Sequence, residues 1–270
     1  MAVPIPPQLV SPPSSTPSSP PCPVAAPQVV LFGGGGHAVV VLEAARMAGI
    51  TVAGFLDDNP ASSVAAVIID TTRPRDGLLD THSLAHNCFD TAPPLCLGKL
   101  NETNQLDNRA WIIALGDIAH RRRAINAAQQ RDALNTAAAR SGVDLRPASS
   151  PGPKAIIHPS AFISPTAQIG PGAFIGPRAV VHARARIGPH AIINTGAIIE
   201  HDCVVGENSH IAPGTVLGGG VHIASDSLIG LGSRILPGVS IGHHVIIGAG
   251  ATVLGDVRDG TTAVGVIRAT

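Results

Sequence analysis

"IHPSAFISPTAQIGPGAFIGPRAVVHARARIGPHAII", residues 157–193, returns to an aliphatic side chain at every sixth position. The register runs on from Ile157 to Val253, and all seventeen positions are Ile, Leu or Val. Two residues before each of them, from Ala161 to Ala251, stands a small or slender residue: Ala, Cys, Ser, Thr or Val. A period of six fits neither a helix of 3.6 residues per turn nor an alternating strand. It fits a chain that turns a corner every six residues and points one aliphatic side chain inward from each face. Three faces close a coil of about 18 residues, and coils stack as parallel strands ~4.8 Å apart.

The rest of the composition agrees with a narrow, regular core. Five Phe, one Trp and no Tyr leave Ile, Val, Leu and Ala to fill it. Formal charge is zero, so nothing invites nucleic acid. No window approaches 18 uninterrupted apolar residues, so no transmembrane helix is expected. Cys22, Cys88, Cys96 and Cys203 form no C-x-x-C spacing or small disulfide framework, and a reduced, cytoplasmic setting is expected. Residues 1–28 hold ten prolines and five serines without a single Lys, Arg, Asp or Glu. They lack the cationic start and apolar core of a secretory signal and read as a disordered tail.

Between tail and repeat the pattern changes. "VVLF" is a buried strand, "GGGG" a loop, "HAVVVLEAARMAG" a helix closed by Gly49, and "ITVAGFLDD" a second strand ending in carboxylates. That is a β-loop-α-β unit with parallel strands. "AWIIALGD" reads as a further buried strand, and the run after it as a helix stopped by Gly142. "AAVIID" and "PPLCLG" are strand candidates in the otherwise loop-like stretch 59–109. The expected organisation is a tail over 1–28, a Rossmann-like α/β domain over 29–145 and a parallel β-helix over 155–270.

One corner of the repeat departs from the rest. The residue after each inward aliphatic is Gly at eight of seventeen positions, but Asn194 and Glu200 stand there in "INTGAIIEHDCVVGENSHIAPG". His201 then lies between Glu200 and Asp202, with His210 close after. Eight of the twelve histidines fall in the repeat, so a lone histidine decides nothing; the flanking carboxylates do. Imidazole is the usual general base near neutral pH, and a neighbouring carboxylate fixes its tautomer. Direct acyl transfer needs that base and a backbone N–H for the oxyanion. Gly219 falls on the column of Ala183 and His201 and leaves its backbone open to close approach. Cys203 takes an inward small-residue position and reads as core rather than nucleophile.

The pairing of "LFGGGGHAVVVLEAA", "GFLDDNP" and "ALGD" with a hexapeptide helix carrying the EHD corner resembles the hexapeptide-repeat sugar acyltransferases. These are the relatives of the sialic-acid O-acetyltransferase and of the UDP-amino-sugar N-acetyltransferase of bacterial glycosylation. The resemblance implies a left-handed β-helix, the hand opposite to the usual crossover rule. It also implies a homotrimer with active sites between subunits, and acetyl-CoA as co-substrate with no metal. By the same resemblance, His201 is the general base and Asp202 its carboxylate. His210, Gly230 and Leu231 lie on the acetyl-CoA side, where Gly219 joins them by its own place beside the His201 column. Gly35, Gly36, His37, Asp57, Asp58, Gly116 and Asn194 lie on the nucleotide-sugar side. The all-glycine loop before His37 departs from relatives that carry Ser or Ala there.

The expected activity is acetyl transfer to the amino group of a nucleotide-linked amino sugar, with polysaccharide or glycan assembly as the setting. The alternative is O-acetylation of a sialic-acid-like sugar. "FGGGGHA" followed by Asp57 also approaches a dinucleotide fingerprint, but a glycine-rich turn at a helix N-terminus binds any phosphate. A zinc-dependent carbonic anhydrase on the same scaffold needs three convergent histidines, and the spacing of His182, His201, His210 and His222 does not resemble that arrangement. A purely structural β-helix would explain the repeat but not the EHD corner.

Overall fold

The computed structural model describes residues 28–59, 61–64, 94–102, 106, 109–140 and 152–269, the side chains of 134–140 excepted. Residues 1–27 of the Pro/Ser-rich tail and "AAVIID" lie outside these residues, and Gln28, expected in the tail, opens the first strand.

The first half is a four-stranded parallel sheet of order β3-β2-β1-β4. Its strands are β1 (Gln28–Phe32), β2 (Thr51–Leu56), β3 (Cys96–Gly98) and β4 (Ala110–Ile113). Helix α1 (Gly36–Met47) links β1 to β2, and α2 (Ile118–Arg140) follows β4. Gly49 takes the left-handed φ of 71° that closes α1. "PPLCLG" supplies β3, as its composition suggested. β1 and β4 are buried on both faces, which accounts for their unbroken apolar runs. Val30, Phe32, Trp111 and Ile113 pack against Ile125 and Ala128 of α2. Val29, Leu31 and Ile112 face α1 on the other side.

The second half is a left-handed parallel β-helix. Its two-residue strands stack into one five-stranded and two seven-stranded sheets. Strand partners are offset by one coil, as in Ile192↔His210 and Ile198↔Val216. The hexad aliphatics and the slender residues before them fill the prism from Ala173 to Val257. Polar members of the slender set are satisfied inside it. Ser209 Oγ donates to Ala224 O at 2.7 Å, Thr215 Oγ1 to Gly230 O at 3.0 Å and Ser233 Oγ to Gly248 O at 3.0 Å. Cys203 is among these core residues, fully buried. Two further strands, Thr262–Ala263 and Val266–Ile267, extend the seven-stranded sheets past the last hexad.

One seven-stranded sheet turns its outer face to the α/β half. Ile156, Phe174 and Ile192, outward on consecutive coils, join the cluster of α1 and β1 side chains. The next outward residue on that column is His210. No helix among the described residues is long and apolar enough to cross a membrane.

Candidate active site

Each corner spends three residues. The first and third donate backbone N–H groups to neighbouring coils, as Gly218 N to Ile235 O and Gly220 N to His201 O, both 2.9 Å. The second donates to nothing within the ladder, so proline is tolerated there, as at Pro165 and Pro237. His201 occupies that second position. Its side chain is therefore outside the core, with 59% of its surface exposed.

The third position is left-handed: Asp202 has φ 61° and Arg184, one coil earlier, φ 57°. Aspartate tolerates that region, and the turn brings its carboxylate back toward its neighbour. His201 Nδ1 stands 2.8 Å from Asp202 Oδ2. Arg184 clamps the same carboxylate, Nε to Oδ1 and Nη2 to Oδ2, each 2.7 Å. Hydrogen bonds from Arg184 first, and then from His201, hold the Asp202 carboxyl well below the usual carboxylate range. An ionised carboxylate only accepts, so Nδ1 carries the imidazole proton and Nε2 presents a lone pair. Glu200 plays no part in this: its Oε1 lies 3.9 Å from His182 Nε2. Beneath the ring is Gly219, where a β-carbon would stand 2.6 Å from Nε2. The Gly219 N–H has no partner among the described residues. A base and a free backbone donor thus share one corner.

The α/β half builds a second cluster. Asp57 Oδ2 accepts from Gly34 N at 2.5 Å and Oδ1 from Asn59 N at 2.7 Å, so this carboxylate fastens the glycine loop. Asp58 Oδ1 accepts from Leu100 N at 3.4 Å. Gly34 has no room for a side chain, since a β-carbon would fall against Ser62 Oγ. Gly35 and Gly36 have open space above them. Gly35 is the N-cap of α1, which has no capping side chain and no acid in its first turn. The free N–H groups there form an electropositive helix end suited to an anion.

His37, one residue into α1, meets the β-helix. Its ring stands edge-on to Phe174 at 5.4 Å and 6.3 Å from the ring of His210. A β-carbon added at Gly116, in the loop after β4, would stand 3.9 Å from His37 Cβ. Asn194 Oδ1 accepts from Thr195 N at 2.8 Å, which aims its amide nitrogen at His210 Nε2, 3.1 Å away. The Gly116 backbone beside the His210 ring favours the charged imidazole and offsets part of the effect of burial. Burial, with the Arg121 guanidinium next, pulls His210 down to about 4 and His37 to about 3, so both are neutral at physiological pH. His37 Nε2 is buried without a partner among the described residues.

Asn194 lies on one edge with Gly230 and Leu231; Gly230 is buried under the next coil, and Leu231 is 58% exposed. His201 and Gly219 lie on another edge, between the five-stranded sheet and the seven-stranded sheet that contains Ile198. That edge is opposite the face carrying the α/β half. Within one chain the structure therefore joins His37, Gly116, Asn194 and His210, and keeps His201, Asp202 and Gly219 apart from them. His210 sits with the residues expected on the nucleotide-sugar side. Arg184 was not expected from sequence, although its place eighteen residues before Asp202 on the same column could have shown it.

A profile of the PglD N-terminal domain matches residues 28–77. Profiles of the bacterial transferase hexapeptide (six repeats) and of the hexapeptide repeat of succinyl-transferase match 184–219 and 223–254. No curated protein sequence matches the chain. Among solved structures, a mutant perosamine N-acetyltransferase from Caulobacter crescentus in complex with CoA and GDP-perosamine is 30% identical. Its TM-score is 0.65, over 88% of this chain and 93% of that one. The acetyltransferase domain of PglB from Neisseria gonorrhoeae, in complex with acetyl coenzyme A, is 29% identical with TM-score 0.64, over 89% and 97%. WeeI from Acinetobacter baumannii shares the fold at 22% identity and TM-score 0.56, over 88% and 96%.

Proposed function

This chain belongs to the hexapeptide-repeat sugar acyltransferases, and on that premise we propose that it moves acetyl from acetyl-CoA to the amino group of a nucleotide-linked amino sugar. The observation that carries the mechanism is the His201 imidazole, clamped at Nδ1 by Asp202 and free at Nε2 above Gly219. The neutral amine attacks the thioester carbonyl, and His201 Nε2 takes the proton the nitrogen loses. Asp202, held ionised by Arg184, stabilises the imidazolium. The free N–H of Gly219 is the donor for the oxyanion, a contact worth ~3 kcal/mol in such sites. As the C–S bond breaks, the imidazolium returns its proton to the departing thiolate. No covalent enzyme intermediate is needed, and buried Cys203 has no role.

The diphosphate rests on the N–H groups of Gly35 and Gly36 at the start of α1, with His37 and Gly116 beside it. Asp57 holds that loop, and Asp58 lines the strand end. The sugar end then points past Asn194 and His210. Since these residues and His201 lie on opposite sides of one prism, the reading calls for a second copy to supply the base. A homotrimer with acetyl-CoA in the groove between copies, along Gly230 and Leu231, meets that need.

The test is thiol release from acetyl-CoA with UDP-, GDP- and CMP-linked amino sugars and free sialic acid. Turnover with a nucleotide amino sugar supports the reading and names the nucleotide. Turnover with the free acid alone replaces it with O-acetylation.

A further inference from the structure

The loop that carries Gly116 is held by a side chain outside the site. Arg121, in the first turn of α2, is 1% exposed. Its Nη1 donates to Ile113 O at 3.1 Å and Leu115 O at 3.0 Å, the two carbonyls that bracket the exit from β4. Its Nε donates to Asn208 Oδ1 at 3.0 Å and its Nη2 to His190 O. His190 and Asn208 are the third residues of consecutive corners on one edge of the prism, both left-handed with φ 57°. One planar fork therefore fastens the loop after β4 to two coils at once, a task that a point-charge lysine cannot copy. Burial and neighbouring Arg122 lower the Arg121 ionisation only to about 9, so it stays charged at neutral pH.

Arg122 docks the same helix differently. It forms ion pairs with Asp226, Nε to Oδ1 and Nη2 to Oδ2 at 2.9 Å, and with Glu207 at 2.9 Å. Asp226 Oδ1 also accepts from Asn208 Nδ2 at 2.7 Å, so Arg122 reaches the Arg121 network through that carboxylate, but it makes no hydrogen bond to Ile113 or Leu115. Both arginines dock the helix, and Arg121 alone of the two bonds the carbonyls of the loop after β4.

We infer that Arg121 is a positioning residue for the nucleotide-sugar half of the site, setting Gly116 against His37 and His210 by tying Leu115 to the corners at His190 and Asn208. The kinetic part of this rests on the function proposed above. Without that fork Leu115 loses its tie to the β-helix corners, and the substrate's sugar end loses its fixed wall.

The experiment compares Arg121→Gln, Arg121→Lys and Arg122→Ala in the full chain. Arg121→Gln is expected to raise KM for the nucleotide sugar ~10-fold or more, the scale of a site misplaced by less than an ångström, with KM for acetyl-CoA within about twofold. Arg121→Lys restores part of the loss. Arg122→Ala lowers the melting temperature but leaves the nucleotide-sugar KM within about twofold. Amide exchange of residues 113–117, measured without substrate, rises in Arg121→Gln and not in Arg122→Ala. If the Arg121 variants do not fold, Asn208→Gly removes the acceptor of Arg121 Nε, together with the Asn208 Nδ2 bonds to Ile118 O and Asp226 Oδ1, at a backbone conformation glycine accepts, and a smaller rise in the same KM is expected. An equal KM rise in Arg122→Ala, or unchanged exchange and KM in folded Arg121 variants, overturns the assignment. Faster exchange without turnover of any nucleotide sugar would uphold the positioning role and refute the substrate reading.

Discussion

The imidazole of His201 lies over the α-carbon of Gly219 on the next coil, so close that a β-carbon there would stand 2.6 Å from Nε2. The obstructed atom is the far end of a side chain, not backbone. Gly219 also has no left-handed φ to maintain. Gly219→Ala should therefore fold normally and push the base aside. The expected outcome is a kcat lower by ~10-fold or more with an unchanged melting curve; steady-state kinetics beside thermal denaturation checks it.

Removing the base itself should cost more. His201→Ala is expected to lower kcat by ~10²-fold or more, the usual scale for a general base, with the fold intact because the side chain is outside the core. Asp202→Asn should fall in the same direction, since a neutral amide neither fixes the tautomer nor stabilises the imidazolium as a carboxylate does. Full activity in either variant would contradict the mechanism.

Acid should loosen the junction between the halves. His37, His190 and His210 are pulled below the ordinary imidazole value of 6.5 to about 3, about 4 and about 4, burial being the first cause in each. The unfolded chain therefore binds more protons than the folded one between those values. Stability is full above about pH 6.5 and falls as pH drops toward 4, with a slope of up to about 1.4 kcal/mol per pH unit for each histidine. Urea unfolding across that range measures the slope, and His190→Phe should reduce it.

Cys203 belongs to the core. Its Sγ is 3.1 Å from Gly218 O, and burial pushes its thiol up, away from a nucleophile's range. Cys203→Ala should keep kcat within about twofold and cost about 1 kcal/mol of stability, the scale of a small buried truncation. Loss of turnover with the fold intact would point to covalent chemistry instead.

What the sequence could reveal follows from how local each constraint is. The hexad reveals the prism because every sixth side chain must fill the same narrow interior, and the register shifts past Val253, where Ile241 pairs Val257, Ile247 pairs Ala263 and Val253 pairs Ile267, each fewer than eighteen residues on. The EHD corner is legible because it replaces glycine with chemistry. Which carboxylate serves His201 is legible from the family resemblance and not from the residues alone, since it depends on Asp202 taking a left-handed φ while Glu200 turns to His182. The junction is the least legible part. Arg121 and Asn208 are 87 positions apart and meet only once two separately patterned halves have docked. The pairing of His37 with His210 depends on the same docking.

The account's central claim is the formation of an amide on a nucleotide-linked sugar. The most direct measurement is mass spectrometry of the product made by the wild-type enzyme from acetyl-CoA and the nucleotide amino sugar it turns over fastest, before and after hydroxylamine. The account predicts a mass increment of one acetyl group that hydroxylamine does not remove. An increment that hydroxylamine strips would place the acetyl on a hydroxyl and contradict it.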